Sequence, residues 1–292
     1  MKKLRQNISR LAILLIHALP AALAAAEGSD TNAVAPGRTD AQFSESAPYA
    51  SRTEVLRRLG AGSGAVVPDY DISKEQFQII QPAAYATNTA WGLFVWISPA
   101  EDARMPPDWE PELARHRLLA VSAHNSGNNR RTFDRVRLAL DATCNMCRRF
   151  NIERKRIYVG GFSGGARVAS ILGVAYADIF TGTLCVCGVD FYQKIPFARE
   201  QFYPATYLPN PHVLPLAKRN GRFVLLTGEN DVNRENTKLV LEKGFQHEGF
   251  RNVLYLEVPG MKHALPGAEV LNTALDYLDG NKVPSGAATA DR

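Results

Sequence analysis

The stretch RIYVGGFSGGARVAS, residues 156–170, sets Ser163 between two pairs of glycines. Gly161-Phe162-Ser163-Gly164-Gly165 fits G-x-S-x-G, the pattern of a nucleophile carried on a sharp strand-to-helix turn. Such a turn strains the backbone of its central residue. The residues two before and two after must be small, because helix and strand backbones approach there. The hydroxyl is lifted above the sheet edge, and the amide of Gly164, at a positive helix N-terminus, faces whatever the hydroxyl attacks. A phosphate-binding turn fits less well, since there is no lysine in the P-loop position and no G-x-G-x-x-G spacing. The other glycine-rich stretch, GAGSGA (60–65), follows no strand and reads as a loop.

A serine hydroxyl needs a base to take its proton. Of the six histidines, His263, in VPGMKHALPG, follows the last predicted strand and precedes the last predicted helix. That is the base position for the chain order serine, acid, histidine. His17 falls in the leader, His124 lies ahead of the serine, and His212 sits in a proline-rich insertion. His116 and His247 read as exposed side chains. An acid must orient the imidazole. Asp231, in the loop GEND one strand before the histidine, is the foremost candidate, with Glu229 and Asp190 as alternatives.

The elements that would hold these residues follow from apolar periodicity. QFQIIQP (76–82), WGLFVWIS (91–98), RLLAVSAH (117–124), RIYVGG (156–161), GTLCVCGV (182–189), RFVLLTG (222–228) and NVLYLEVPG (252–260) read as strands. Steps of three and four from Phe133 to Phe150 predict an amphipathic helix, and 166–180, 235–249 and 271–280 read as further helices. Runs apolar on both faces, alternating with helices, predict an α/β domain with a mostly parallel sheet covered on both sides. Chemistry then gathers at the carboxyl ends of the strands, where all three candidates fall.

With these residues in place the chain resembles the α/β-hydrolase superfamily, and within it the secreted esterases of the polyhydroxybutyrate depolymerase and dienelactone-hydrolase-like group. The likeness covers about residues 72–280 and rests on GFSGG, the Asp231 loop and the His263 loop. It implies Ser163 as nucleophile, His263 as base and acid, Asp231 as orienting carboxylate, and no cofactor or metal. One departure bears on the oxyanion hole. Many relatives carry His-Gly after the third strand, where this chain has Trp96-Ile97-Ser98-Pro99. Pro99 has no N–H to offer, so the amide or hydroxyl of Ser98, or the amide of Ala100, would join Gly164. The implied activity is carboxylic ester hydrolysis on a small or polymeric ester. An acyltransferase or peptidase on the same residues, or a non-catalytic binding protein on the same scaffold, are the alternatives.

Residues 1–26 have a positive n-region, a short apolar core and a small-x-small site, the pattern of a cleaved signal peptide. Their apolar run is shorter than a bilayer span. The expectation is an exported protein, periplasmic or secreted, without a lasting membrane anchor. Residues 1–26 also hold four of the 34 basic residues and none of the 29 acidic ones. The remainder is close to neutral, which gives nucleic-acid binding no support. Residues 27–51 read as a flexible linker, 52–280 as the hydrolase domain and 281–292 as a disordered tail. About thirty residues, near 190–221, carry six aromatics and five prolines and read as a cap-like insertion. NSGNNRR (125–131) is a candidate lining of the same mouth. Cys144/Cys147 and Cys185/Cys187 predict disulfides or buried thiols ahead of a zinc site. A local Cys144–Cys147 bridge is the easiest pairing, and Cys185 and Cys187 should share one strand face.

Overall fold

The computed structural model describes residues 36–60, 70–281 and 288–289. The leader 1–26, the start of the linker and most of the tail lie outside the described residues. The main sheet has the order β1-β2-β4-β3-β5-β6-β9-β10-β11. In chain order these strands are β1 (Gly37–Gln42), β2 (Gln76–Gln81), β3 (Trp91–Ile97), β4 (Leu118–Ala123), β5 (Ile152–Phe162), β6 (Gly182–Val186), β9 (Arg222–Gly228), β10 (Asn252–Val258) and β11 (Ala288–Thr289). From β4 to β10 every neighbouring pair is parallel, while β1/β2, β2/β4 and β10/β11 are antiparallel. β7 (Ile195–Ala198) and β8 (Gln201–Tyr203) form a separate hairpin.

Apolar side chains alternate between two cores. Leu93, Val95, Val121, Val159, Cys185 and Leu225 point into one, and Phe94, Trp96, Ala120, Tyr158, Leu184 and Leu226 into the other. The first core is covered by α1 (Arg52–Leu59), α3 (Thr132–Arg149), α4 (Gly164–Ala175) and the end of α6 (Arg234–Val240), which continues as π-helical turns over Leu241–Gln246. The second is covered by α2 (Glu110–Arg115) and α7 (Ala268–Asp279). The two-sided apolar runs are thus consumed by helices on both faces. Among the described residues no helix is long and apolar enough to cross a membrane.

The folded domain begins before residue 52. From residue 36 onward the expected linker is part of the fold. β1 pairs with β2 over all six of its residues, from Gly37↔Gln81 to Gln42↔Gln76. Phe43 is 1% exposed, with its ring 4.6 Å from that of Phe77. The Ala47 amide donates to the Asp141 carboxylate of α3 at 2.5 Å. An edge strand needs few apolar residues because one side of it meets water, so composition alone hides it. Within the expected tail, Ala288–Thr289 pairs with Tyr255 and Leu254 of β10.

The insertion near 190–221 comprises the β7/β8 hairpin, an extended passage and α5 (Leu214–Asn220). Most of its aromatics fasten it to the body. Phe191 and Tyr192 are buried against Phe245 and Phe250, and Tyr207 is buried beside Tyr192. Phe197 and Phe202, at 44% and 51% exposed, are the large aromatics it leaves in solvent.

If residues 36–51 belong to the cooperative unit, Phe43→Ala should cost about 3–5 kcal/mol, the usual penalty for emptying a buried phenylalanine site. Urea denaturation of the full chain measures this. A change below about 0.5 kcal/mol would mean that the segment is only loosely attached.

Candidate functional site

The site is built at the carboxyl ends of β3, β5, β6, β9 and β10. Ser163 lies between β5 and α4 with φ 53° and ψ −118°, a conformation rare for a residue with a side chain. The strain is held in place from both sides. Ser163 donates its amide to the Val186 carbonyl at 2.8 Å and accepts from the Arg167 amide at 3.2 Å. A Cβ on Gly161 would overlap the Gly165 backbone, and one on Gly165 would overlap the Ile97 carbonyl oxygen. Both flanking positions therefore require glycine because main chain touches main chain there.

His263 Nε2 lies 2.9 Å from Ser163 Oγ, and His263 Nδ1 lies 2.7 Å from Asp231 Oδ1. The Phe162 ring flanks the imidazole at 4.9 Å between centroids. The Asp231 side chain is fully enclosed. Its Oδ2 accepts from Thr227 Oγ1 at 2.8 Å and its Oδ1 from the Asn233 amide at 3.1 Å. Burial alone would raise the Asp231 pKa, but the hydrogen bonds from Asn233, His263, Thr227 and Cys187 outweigh it and hold the carboxyl below its usual range. An ionised Asp231 accepts from Nδ1–H, which leaves the lone pair on Nε2 facing the serine hydroxyl.

The two loops that meet here are stapled to each other. The Asn230 amide donates to the Met261 carbonyl, and a Cβ on Gly228 would overlap that same carbonyl oxygen. Glu229, one alternative acid, accepts from the Gly260 amide at 2.8 Å and so shapes the turn before His263. Asp190, the other, accepts from Arg167 Nη1 at 2.8 Å. Neither touches the imidazole. Of the other histidines, His124 sits against Asp40 and the Ala103 amide. His116 is not exposed as its sequence position suggests. It is buried between Asp279 and Asn272, 2.7 and 3.1 Å away, and these partners hold its pKa above the usual value against the opposing effect of burial.

Next to the serine, Gly164 opens α4, so its amide has no intrahelical acceptor. Gly165 brings the Ile97–Ser98 backbone against the turn. The Ser98 hydroxyl accepts from the Ala100 amide at 3.1 Å, which occupies the Ala100 donor within that loop. Sequence reading missed Arg135 and Thr227, and reached Asn128 only as part of NSGNNRR, the stretch expected to line the mouth. Asn128 packs its side-chain amide where Gly164 would carry a Cβ. Arg135, buried beneath, donates from Nη2 to the Ser98 carbonyl at 3.1 Å, and burial pushes its pKa down to about 10. Thr227 is the lone hydroxyl in RFVLLTG, the local feature that could have pointed to it. Arg135 left no signal, because its role depends on α3 packing beside β3.

All four cysteines are free thiols, so the disulfides expected from sequence, Cys144–Cys147 included, are not formed in this structure. Cys144 turns towards the Tyr49 hydroxyl instead. Cys185 and Cys187 also do not share a face. Cys185 points into the first core and Cys187 into the second, because Cys187 lies beyond the end of β6 with φ 55°, where strand alternation no longer applies. Its thiol lies 3.5 Å from the Ala264 carbonyl and against Asp231. Burial, then the neighbouring carboxylate, pushes that thiol up to about 12.

No protein-family model matches the sequence, and no curated protein matches it. Solved structures do. The fold is similar to a candidate dipeptidyl aminopeptidase IV from Bacteroides ovatus ATCC 8483, with TM-score 0.54 and 14% identity over 85% of this chain. This chain spans only 36% of that one. It is also similar to an arylesterase, with TM-score 0.52 and 14% identity over 75% of this chain and 84% of the other. A third likeness is to the S-formylglutathione hydrolase FrmB from Staphylococcus aureus, with TM-score 0.51 and 10% identity over 70% and 92%. At such identities the likeness establishes architecture: the chain has the α/β-hydrolase fold.

Gly165→Ala tests the close approach at the turn. The added methyl must displace Ile97 or the helix start, and overpacking of this kind costs about 1–3 kcal/mol. A thermal midpoint equal to that of the unaltered protein would show that the backbones are not in contact.

Proposed function

We propose that this chain is an exported serine hydrolase, most specifically a carboxylic ester hydrolase that works through an acyl-enzyme on Ser163. The observation that carries the reading is the line from Ser163 Oγ through His263 to Asp231, at 2.9 and 2.7 Å, on a strained turn at the carboxyl edge of the sheet. In this reading His263 Nε2 takes the Ser163 proton as Oγ attacks the ester carbonyl. Asp231 keeps the imidazole in the right tautomer and stabilises the imidazolium. The Gly164 amide and the Ser98 amide receive the oxyanion. The Ser98 hydroxyl, which already holds Ala100, acts as a brace. His263 then returns the proton to the departing alcohol. A water molecule, deprotonated by the same nitrogen, attacks the acyl-enzyme and releases the acid. The chemistry is complete with side chains and backbone amides and calls for no organic cofactor.

Two of the three structural neighbours above act on esters or thioesters by their names, an arylesterase and an S-formylglutathione hydrolase, which supports an ester-type substrate. The finer placement beside secreted polyhydroxybutyrate depolymerase and dienelactone-hydrolase-like esterases rests on the three motifs in the sequence. Export rests on the pattern of residues 1–26.

Hydrolysis of short p-nitrophenyl esters tests the reading. Ser163→Ala should lower kcat/KM by at least roughly 10³-fold, and a fluorophosphonate probe should label the unaltered chain but not this variant. Equal turnover in both would rule out Ser163 as nucleophile. A chain that neither labels nor turns over any ester would be a binding protein on a hydrolase scaffold.

Asp231→Asn should preserve the fold and lower kcat by about 10⁴-fold, because an amide favours the wrong imidazole tautomer. A loss under tenfold, read in the same assay, would move the orienting role to another carboxylate.

A further inference from the structure

Cys187 has no part in ester hydrolysis as described, yet it stands among the residues proposed to perform it. Its backbone is held at φ 55°, with its amide donating to the Leu226 carbonyl and its carbonyl accepting from Asn233 Nδ2 at 2.9 Å. The thiol is fully buried and faces Asp231. The sulfur of Cys187, a carboxylate oxygen of Asp231 and a ring nitrogen of His263 all lie within 4.8 Å of one another. We infer that these three side chains form a binding site for a thiophilic divalent cation, Zn²⁺ or Cd²⁺ in class, and that occupancy switches off the base.

Three features of the site support this. The first is distance. Tetrahedral bonds of about 2.0–2.3 Å to nitrogen, oxygen and sulfur set ligand atoms roughly 3.3–3.7 Å apart. The three atoms need to shift by less than about 1 Å to reach that, the 2.7 Å contact between His263 and Asp231 opening and the others closing. The second is charge. A thiolate, a carboxylate and a neutral imidazole carry two negative charges, which cancel a divalent cation in a site where an unbalanced charge would be expensive. The third is ligand support and access. Thr227 and Asn233 already orient the carboxylate from behind. The imidazole is the exposed member, so a cation and its remaining water enter from the solvent side.

Binding also has a definite chemical consequence. The Cys187 thiol loses its proton to solvent as the metal–sulfur bond forms. His263 coordinates through Nδ1, so its ring hydrogen moves, by exchange with water, from Nδ1 to Nε2. The ring stays neutral, and one proton is released per cation. Nε2–H no longer has a lone pair to receive the Ser163 proton. The cation therefore inhibits by fixing the tautomer opposite to the one that Asp231 selects, without touching the serine.

The inhibitory consequence rests on the ester-hydrolase reading, whereas the site itself does not, so the test separates them. Chelator-treated full-length protein is titrated with Cd²⁺ while the ultraviolet thiolate-to-cadmium absorption is followed. One equivalent should produce the band in the unaltered chain, in Ser163→Ala and in the double variant Cys144→Ser/Cys147→Ser, and it should be missing in Cys187→Ser. In parallel, micromolar Zn²⁺ should reduce p-nitrophenyl ester hydrolysis more than tenfold, with recovery on adding EDTA. Cys187→Ser, scored against its own metal-free rate, should be at least tenfold less sensitive. The inference is overturned by absence of the band in the unaltered chain, by a band that survives Cys187→Ser, or by equal inhibition of both proteins. Absence of ester turnover before any metal is added would overturn the hydrolase reading and leave the Cd²⁺ titration to judge the site.

Discussion

The arrangement depends on one close approach of main chain to main chain. β5 must end and α4 must begin within a single residue, and that residue is forced to a positive φ. Only then does the Ser163 hydroxyl reach His263 Nε2 while Gly164 opens α4 directly after it. The strain is sustained because the surroundings leave no alternative. Ile97 occupies the space a side chain at 165 would need, and the start of α4 occupies the space one at 161 would need. Substantial local strain of this kind persists only where packing over-determines it.

The second requirement is that two loops, more than thirty residues apart, arrive together. β9 and β10 are neighbours in parallel register, so the loops that follow them leave the sheet at the same edge. The Asn230–Met261 hydrogen bond and the Gly228 contact then fix their spacing. Asp231 is sealed from water, with its charge supported by three donors besides the imidazole, while His263 stays partly open to solvent. The enclosed carboxylate meets the Nδ1 end of the imidazole, and the Nε2 end faces Ser163 Oγ. Cys187 shares the enclosed end because β6 lies beside β9. The neighbourhood that keeps Asp231 ionised thereby gains a buried thiol.

The insertion after β6 divides its aromatic residues by task. Phe191, Tyr192 and Tyr207 close the first core over the π-helical turns that follow α6. Their removal from water anchors the β7/β8 hairpin, and Phe197 and Phe202 remain on its surface. Composition could identify an aromatic insertion but could not divide it this way, since the division depends on which residues face Phe245 and Phe250.

The chain by itself determined the alternation of strands and helices, because burial on both faces of a sheet writes continuous apolar runs. It also determined the position of the turn at Ser163, because only glycine permits the approach on either side. Asp231 and His263 were legible as candidates because chemistry in such a sheet falls just after its strands. The tertiary structure decided what local pattern cannot encode. It showed that Glu229 shapes a turn while Asp231 meets the imidazole, and that residues 36–51 complete the sheet with a polar edge strand. It also showed that Asn128 packs beside Gly164 while Arg135 holds the Ser98 carbonyl, and that Cys187 turns away from Cys185. Each of these depends on a neighbour distant in sequence. Periodicity reports whether a side chain is buried; which partner it meets there is set only when strands take their order in the sheet.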